Sequence, residues 1–560
     1  MRNALLFAAT SLICLFLVLP VVQAQEMSAE EHSHMGEVVG YVPREVLQRP
    51  VTLRDNVGHV NDPVATKNAE AQAFYNQGMA YIHSYVWIDA ARSFNQALRL
   101  DPTLAMAHIG LFRVFINLDD LKSAGEEIAK AQALQSAVSD HERRRIDVSV
   151  KHLDAMRDLR DSSKHEVYKK ALEGALDKNP EDIELWLLRG NAAEAAADGR
   201  GQRGHADSIA FYEAALARSP DNFAAHHYLI HSYESIGRNE EAAKHGDRYS
   251  HLADGVSHAH HMWGHDLRLI GQINAAIEQF EIANHIESNW YKNDNLDPSL
   301  DWHRPHNLDL LSRSLQHEGR MREAERYIRE AMQLQPTTMY AGYNQKVLAD
   351  FLIARGRYQE AFAAAGPMDQ SKWALGRFGG HVVKARALLA MNKLSEAQSE
   401  FAAAEKEIPA CEKEFTGVVT FDRIAGDQLN EVRGEILLHA SSKNPADQKK
   451  ANELLRQAAD SLASHRGADA LAELYLLEHI ARIAREQQQW ELAAHCADLM
   501  VAFDANYFGS HYASALVANH NGDSAKARQE MAMAQPLWRH ADANLPEMGV
   551  LQAKLAAPAK

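Results

Sequence analysis

The chain has 560 residues, and Asp and Glu exceed Lys and Arg by 75 to 59, giving a formal net charge of −16 at pH 7. An acidic balance of this size disfavours nucleic acid as the main partner, and no nucleic acid is expected. The three cysteines, Cys14, Cys411 and Cys496, give no basis for a disulfide framework or a thiolate metal site, whereas the 30 histidines are about twice what average usage gives.

Residues 1–24, MRNALLFAATSLICLFLVLPVVQA, join Arg2 to a long apolar run and end in Val22 and Ala24 before Gln25. That is the pattern of a secretory signal peptide with a V-x-A cleavage site. The apolar run is short for a span, and Cys14 follows Ile13 instead of a small residue, which disfavours a lipoprotein. The mature protein is therefore expected to be exported, periplasmic or secreted, with no membrane span after cleavage. Residues 25–66 hold Pro43, Pro50 and Pro63 without a helical period, so they read as an extended leader laid along the domain. His32 and His34 in this stretch read as solvated.

From Ala71 the pattern changes to internal repetition. Gly78, Tyr81, Ala90, Phe94, Ala97 and Pro102 fall at the spacing of a 34-residue helix pair. Small residues at Gly78, Ala90 and Ala97 let two antiparallel helices approach, Tyr81 and Phe94 fill the seam, and Pro102 ends the second helix. The register returns at Ala124 and Ala131, at Trp186 and Gly190, at Gly237 and Ala242, and at Gly271, Ala276 and Phe280. It continues through Gly319 and Ala324, Gly356 and Ala361, Ala385 and Ala397, Trp490 and Ala493, and Gly522 and Ala527. These residues resemble the tetratricopeptide repeat family, here as an exported protein of the bacterial kind. The resemblance implies an all-α fold, an α-solenoid of antiparallel helix pairs over residues 67–540, with a tail at 541–560. Residues Asp140 to Asn179 and Glu412 to Ser464 fit the repeat poorly but keep a helical period. The GRGQRG run from Gly199 to Gly204 reads as a flexible hairpin loop.

Within 222–318 the histidines concentrate. His227, His231 and Glu234 stand at i, i+4 and i+7, and His258, His261 and His265 at i, i+3 and i+7, so each trio shares one helical face. The family resemblance implies that positions 2, 5, 9 and 12 of each first helix line a concave groove. That register puts His227, His231 and Glu234 at positions 5, 9 and 12, then His258, His261 and His265 at 2, 5 and 9, and His306 at 2, with His303 just before it. His226, His245, His251 and His260 point elsewhere. Neutral imidazoles with one carboxylate suit a transition metal ion, Zn, Fe, Mn or Cu, and the donor count leaves a dinuclear or an open octahedral site in play. Glu234 is a candidate ligand or catalytic general base, and Asp266 a candidate to orient an imidazole.

The same groove register holds Arg268, Arg313, Lys346 and Arg386, a lining able to bind a small anionic ligand, alternating with Asp309 and Asp350. The expected function is a metal-dependent one, hydrolytic or oxidative, on a small or peptidic ligand. Two other readings stay open: a metal-free scaffold binding a peptide or protein partner in the groove, and metal storage or delivery. No GxSxG, HExxH or phosphate-binding glycine loop is present.

Overall fold

Repeated close approach of two helices, set by small residues on the first and an aromatic ring on the second, builds the molecule. A Cβ placed on Gly78 would lie 2.6 Å from the Phe94 ring, on Gly190 2.2 Å from Tyr212, and on Gly264 2.7 Å from Phe280. The three rings are buried. The computed structural model describes residues 42–159, 161–193, 204–337, 339–414, 420–440, 444–465 and 470–556. Among them there is no strand, and the fold is an all-α, TPR-like solenoid. The expected signal peptide, His32, His34 and the loop from Gly199 to residue 203 lie outside the described residues. No described helix is long and apolar enough to cross a membrane.

The pairs run in order from Ala69–His83 with Trp87–Leu100, through Phe223–Ser235 with Asn239–Leu252 and Ser257–Leu269 with Ile273–Asp294, to Phe508–His520 with Ser524–Ala534. The weakly patterned stretches are helical too: Asp140–Met156, Ser162–Lys178, Thr420–Ala440 and Pro445–Ser464. Hairpins reuse one turn. Gly271 has φ 77°, and the next residue, Gln272, donates its N–H to Leu267 O at 2.7 Å, the six-residue closure that a left-handed glycine permits.

The solenoid closes on itself twice. In the first closure, the leader from residue 42 onward ties the first helix pairs to the helix Ile273–Asp294 and to the loop at Gly255. Gly255 N–H donates to Asn56 O at 2.8 Å, Arg54 pairs with Asp89 at 2.8 Å and Asp294 at 2.7 Å, and Arg145 pairs with Asp62 at 2.8 Å. The expected open groove is thus a closed chamber over the histidine section, because the first-repeat hairpin at His83 and Tyr85 and the Trp302 ring cover it. In the second closure, the carboxy-terminal helices return to the middle of the array. Tyr475 donates to Arg313 O at 2.7 Å, Trp538 Nε1 to His317 O at 2.8 Å, and Asp542 N–H to Gly319 O at 3.0 Å. Residues 541–560, read from sequence as a tail, include the helix Pro546–Ala556, which buries Leu551 and pairs Glu547 with Arg355 at 3.1 Å. The helix His303–His317 belongs to both closures.

Two predictions follow from this packing. Gly78→Ala forces Phe94 to move and is expected to destabilise by about 1–3 kcal/mol. Gly174→Ala, on a helix face where an added Cβ meets nothing within 4 Å, should stabilise by about 0.5–1 kcal/mol; urea unfolding reads both. The second concerns His317, which is buried, with Nε2 3.1 Å from Asp504 and Nδ1 3.6 Å from Glu318. Burial alone would lower its pKa, but the hydrogen bond to Asp504 and the nearby Glu318 carboxylate outweigh burial and hold it above the usual 6.5. A raised folded-state value stabilises fully below that usual value and is lost as pH rises through the folded value. As pH rises above the usual 6.5, thermal stability should therefore fall more steeply in the wild type than in His317→Gln.

Candidate metal centre

Three first helices carry the histidines: Phe223–Ser235, Ser257–Leu269 and His303–His317. The Asn222 side chain accepts from Ala225 N–H at 2.8 Å and starts the first; Asp301 accepts from His303 N–H at 3.2 Å at the start of the third. Each helix brings its histidines to one face, and neighbouring faces meet in the chamber.

The result is two sets of three imidazoles. His227, His231 and His258 form one, and His261, His265 and His306 the other; in each, one donor atom per residue lies within 4.8 Å of the others. Each set takes residues four apart from one helix and a single histidine from the next. His227 to His261 and His231 to His265 are both steps of 34 residues, so the repeat period itself relates the two sets. At the following repeat the corresponding positions hold Asp309 and Arg313, which form an ion pair at 2.9 Å instead. The sets are adjacent, with the rings of His258 and His261 5.8 Å apart.

The first set shows its geometry most fully. His231 Nε2 and His258 Nε2 each lie 3.1 Å from His227 Nε2. His227 Nδ1 donates to His83 O at 2.6 Å, which leaves a lone pair on Nε2. Burial pushes the His227 pKa down to about 3, so the ring is neutral. One lone pair cannot accept two linear hydrogen bonds, and the triangle is therefore poorly explained as hydrogen bonding alone. Two nitrogens bound to one ion at about 2.0–2.1 Å and at angles near 90–110° stand about 3.0–3.4 Å apart. The residues present fit a cation.

In the second set, Asn307 plays the part of the His83 carbonyl. His261 Nδ1 donates to Asn307 Oδ1 at 2.9 Å, and Asn307 Nδ2 donates to Phe280 O at 3.1 Å, which fixes the amide and leaves the His261 lone pair on Nε2. That Nε2 is buried and makes no hydrogen bond. Burial lowers the pKa of His261 and of His258 well below the usual value, and neighbouring imidazoles lower both further. A charged imidazole is costly in so dry a site, and a neutral one is the form that binds metal.

Glu234, expected as ligand or base, belongs to neither set. Its oxygens lie 4.0 Å from His231 Nδ1 and 3.4 Å from His265 Nδ1, at the rear of the His231 ring and between the two sets. It is placed to orient imidazoles, as outer carboxylates do around metal-bound histidines. Asp266 faces Glu234, and burial and that neighbour raise its pKa well above the carboxylate range. His226 and His245 turn to each other with Nδ1 atoms 2.8 Å apart, His251 is exposed, and His260 bonds Gln279, all away from the sets.

Sequence reasoning missed three participants. His303 puts its ring 5.0 Å from His258 and 4.6 Å from His261, between the sets. Its Nδ1 bonds the buried Glu287, and its Nε2 is buried without a hydrogen bond. The i, i+3 spacing of His303 and His306 was the available signal. Tyr85, 2% exposed, stands over the first set, 4.5 Å from His227, 5.2 Å from His258 and 6.0 Å from His231, ring centre to ring centre. It has φ 57° at the hairpin position that Gly237, Gly271, Gly319, Gly356 and Gly522 hold in other repeats and Asp119, Asn392 and Gln488 in three more, a strained backbone for a bulky residue. Trp302 closes the side, donating Nε1 to Tyr85 O at 3.1 Å.

Beyond His306 lies a cavity of about 410 Å3, lined by Trp302, His306, Arg313, Lys346, Arg386 and Tyr475 among others. Three of the four expected anion-binding residues reach it. Each is ion-paired, Arg313 with Asp309, Lys346 with Asp350 at 2.7 Å, and Arg386 with Glu431 at 2.8 Å. Arg268 is buried beside Asp504 and Tyr475 and is not in the cavity wall.

No family model matches this chain. No curated protein matches it either. Among solved structures, the human IFIT1 dimer with PPP-AAAA is similar at TM-score 0.38 and 11% identity, over 82% of this chain and 94% of that one. Yeast Tom70 is similar at TM-score 0.30 and 13% identity, over 87% of this chain and 96% of that one. The Cut9–Hcn1 assembly is similar at TM-score 0.31 and 12% identity, over 87% and 76%.

The role given to Asn307 is testable. Asn307→Ala should weaken zinc or copper binding at the His261 set by about 10–100-fold, measured by competition with a chromogenic chelator, with helicity unchanged.

Proposed function

We propose that this protein is an exported TPR-like solenoid that holds transition-metal ions in its two three-imidazole sets and acts as a metal-dependent enzyme on a small molecule. The observation that carries this reading is the triangle of Nε2 atoms at 3.1 Å around His227. Export rests on the pattern of residues 1–24. With Glu234 outside both sets, the donors are imidazoles alone, which favours Cu or Zn over Mn within the range the sequence allows.

An ion bound by three imidazoles keeps a coordination position for substrate or water and supplies a Lewis acid or, with copper, a redox centre. The chain's own residues do the rest. His83 O and Asn307 fix the tautomers of His227 and His261, and Glu234 aligns His231 and His265. Tyr85 and Trp302 keep water from the first set. His306 alone among the six lines the cavity, so substrate meets the second set. The cavity's size, about 410 Å3, suits a small molecule better than an extended peptide. Arg313, Lys346 and Arg386 offer an anionic substrate group the cationic halves of existing ion pairs.

Elemental analysis after loading with copper or zinc and gel filtration tests the reading. His227→Ala with His231→Ala is expected to remove one equivalent per chain, and His261→Ala with His265→Ala another. Equal metal in all variants, or none in the wild type, contradicts it and favours a metal-free scaffold for a peptide or protein partner. Stoichiometric metal without turnover on any substrate favours storage or delivery.

A further inference from the structure

The second closure contains another convergence of donor atoms. Glu431 and Glu435 stand four residues apart on the helix Thr420–Ala440, and His479 comes from the helix Leu471–Glu486. This repeats the arrangement of the imidazole sets: two side chains at i, i+4 on one first helix and one from the next. One donor atom from each lies within 4.8 Å of the others. His479 Nε2 is 3.3 Å from Glu431 Oε1 and 3.9 Å from Glu435 Oε2. Glu435 is 3% exposed, and its Oε2 faces this point without a hydrogen bond. A carboxylate oxygen in a dry interior with no donor is costly, and a cation at the point where the three meet relieves it.

We propose that Glu431, Glu435 and His479 form a separate divalent-cation site on the wall of the same cavity, which His479 lines. Its donors are two carboxylates and one imidazole, harder than either imidazole set, so it takes Mn(II) or Fe(II) more readily than those sets do. Glu431 contributes Oε1, because Oε2 is held by Arg386. Arg482 Nη2 donates to His479 Nδ1 at 2.9 Å, which places the ring proton on Nε2. Cation binding at Nε2 shifts that proton to Nδ1, and Arg482 keeps its Nη1 bonds to Ile353 O and Ala354 O, both 3.2 Å. The site does not depend on the imidazole sets holding metal.

The test uses the full chain carrying His231→Ala and His265→Ala, which silences the imidazole sets, and titrates it with Mn(II) followed by the electron paramagnetic resonance signal of the free ion. One equivalent should bind. Adding Glu435→Gln, which keeps the side-chain shape, should weaken binding by about tenfold or more, and His479→Gln should do the same in case the first variant folds poorly. Arg482→Gln, which offers Nδ1–H an acceptor, should tighten it. No Mn(II) uptake by the parent variant, or uptake unchanged by both Glu435→Gln and His479→Gln, overturns the proposal.

Discussion

The structure around the histidines depends on one constraint: two imidazole nitrogens, His231 Nε2 and His258 Nε2, each brought to 3.1 Å from His227 Nε2 in a buried chamber. Their lone pairs and protons cannot all be satisfied among themselves, because His227 has already committed Nδ1 to the His83 carbonyl. Protonation is no remedy, since burial pushes these rings toward the neutral form. A shared cation would resolve the frustration for all three at once, and the surrounding residues hold the rings at that point.

Repeat symmetry explains how the arrangement arises. A solenoid repeats the relation between adjacent first helices, so any residue pair on one helix that meets a residue on the next can recur one period later. The 34-residue step from His227 and His231 to His261 and His265 is that recurrence. It stops where Asp309 and Arg313 take the corresponding positions and bond each other. The same placement of side chains, with carboxylates in two of three positions, returns at Glu431, Glu435 and His479.

The rotational phase of the six histidines was legible in the sequence because it depends on local helix geometry and on hairpin residues such as Gly237 and Gly271, which set the register. The enclosure was not. It depends on contacts between distant residues: His227 reaches His83 across 144 positions, and Trp302 reaches Tyr85 across 217. Nothing local marks Tyr85 as a cover for the site, although a tyrosine at a hairpin position often held by glycine is a visible irregularity. Glu234 shares a helical face with His231, so sequence spacing alone offered it as a ligand or a general base. Only the tertiary arrangement places it behind that ring, against Nδ1. The basic lining was legible as position for Arg313, Lys346 and Arg386 but not for Arg268, and its ion pairing was not legible, since Arg386 meets Glu431 only when the later helices fold back.

X-ray absorption at the metal edge of copper- or zinc-loaded protein tests the central claim most directly. The account predicts a first shell of nitrogen at about 2.0–2.1 Å for zinc, about three imidazoles per ion by their outer-ring scattering, and no sulfur. A shell dominated by water oxygen or carboxylate, with one imidazole or none, would contradict it.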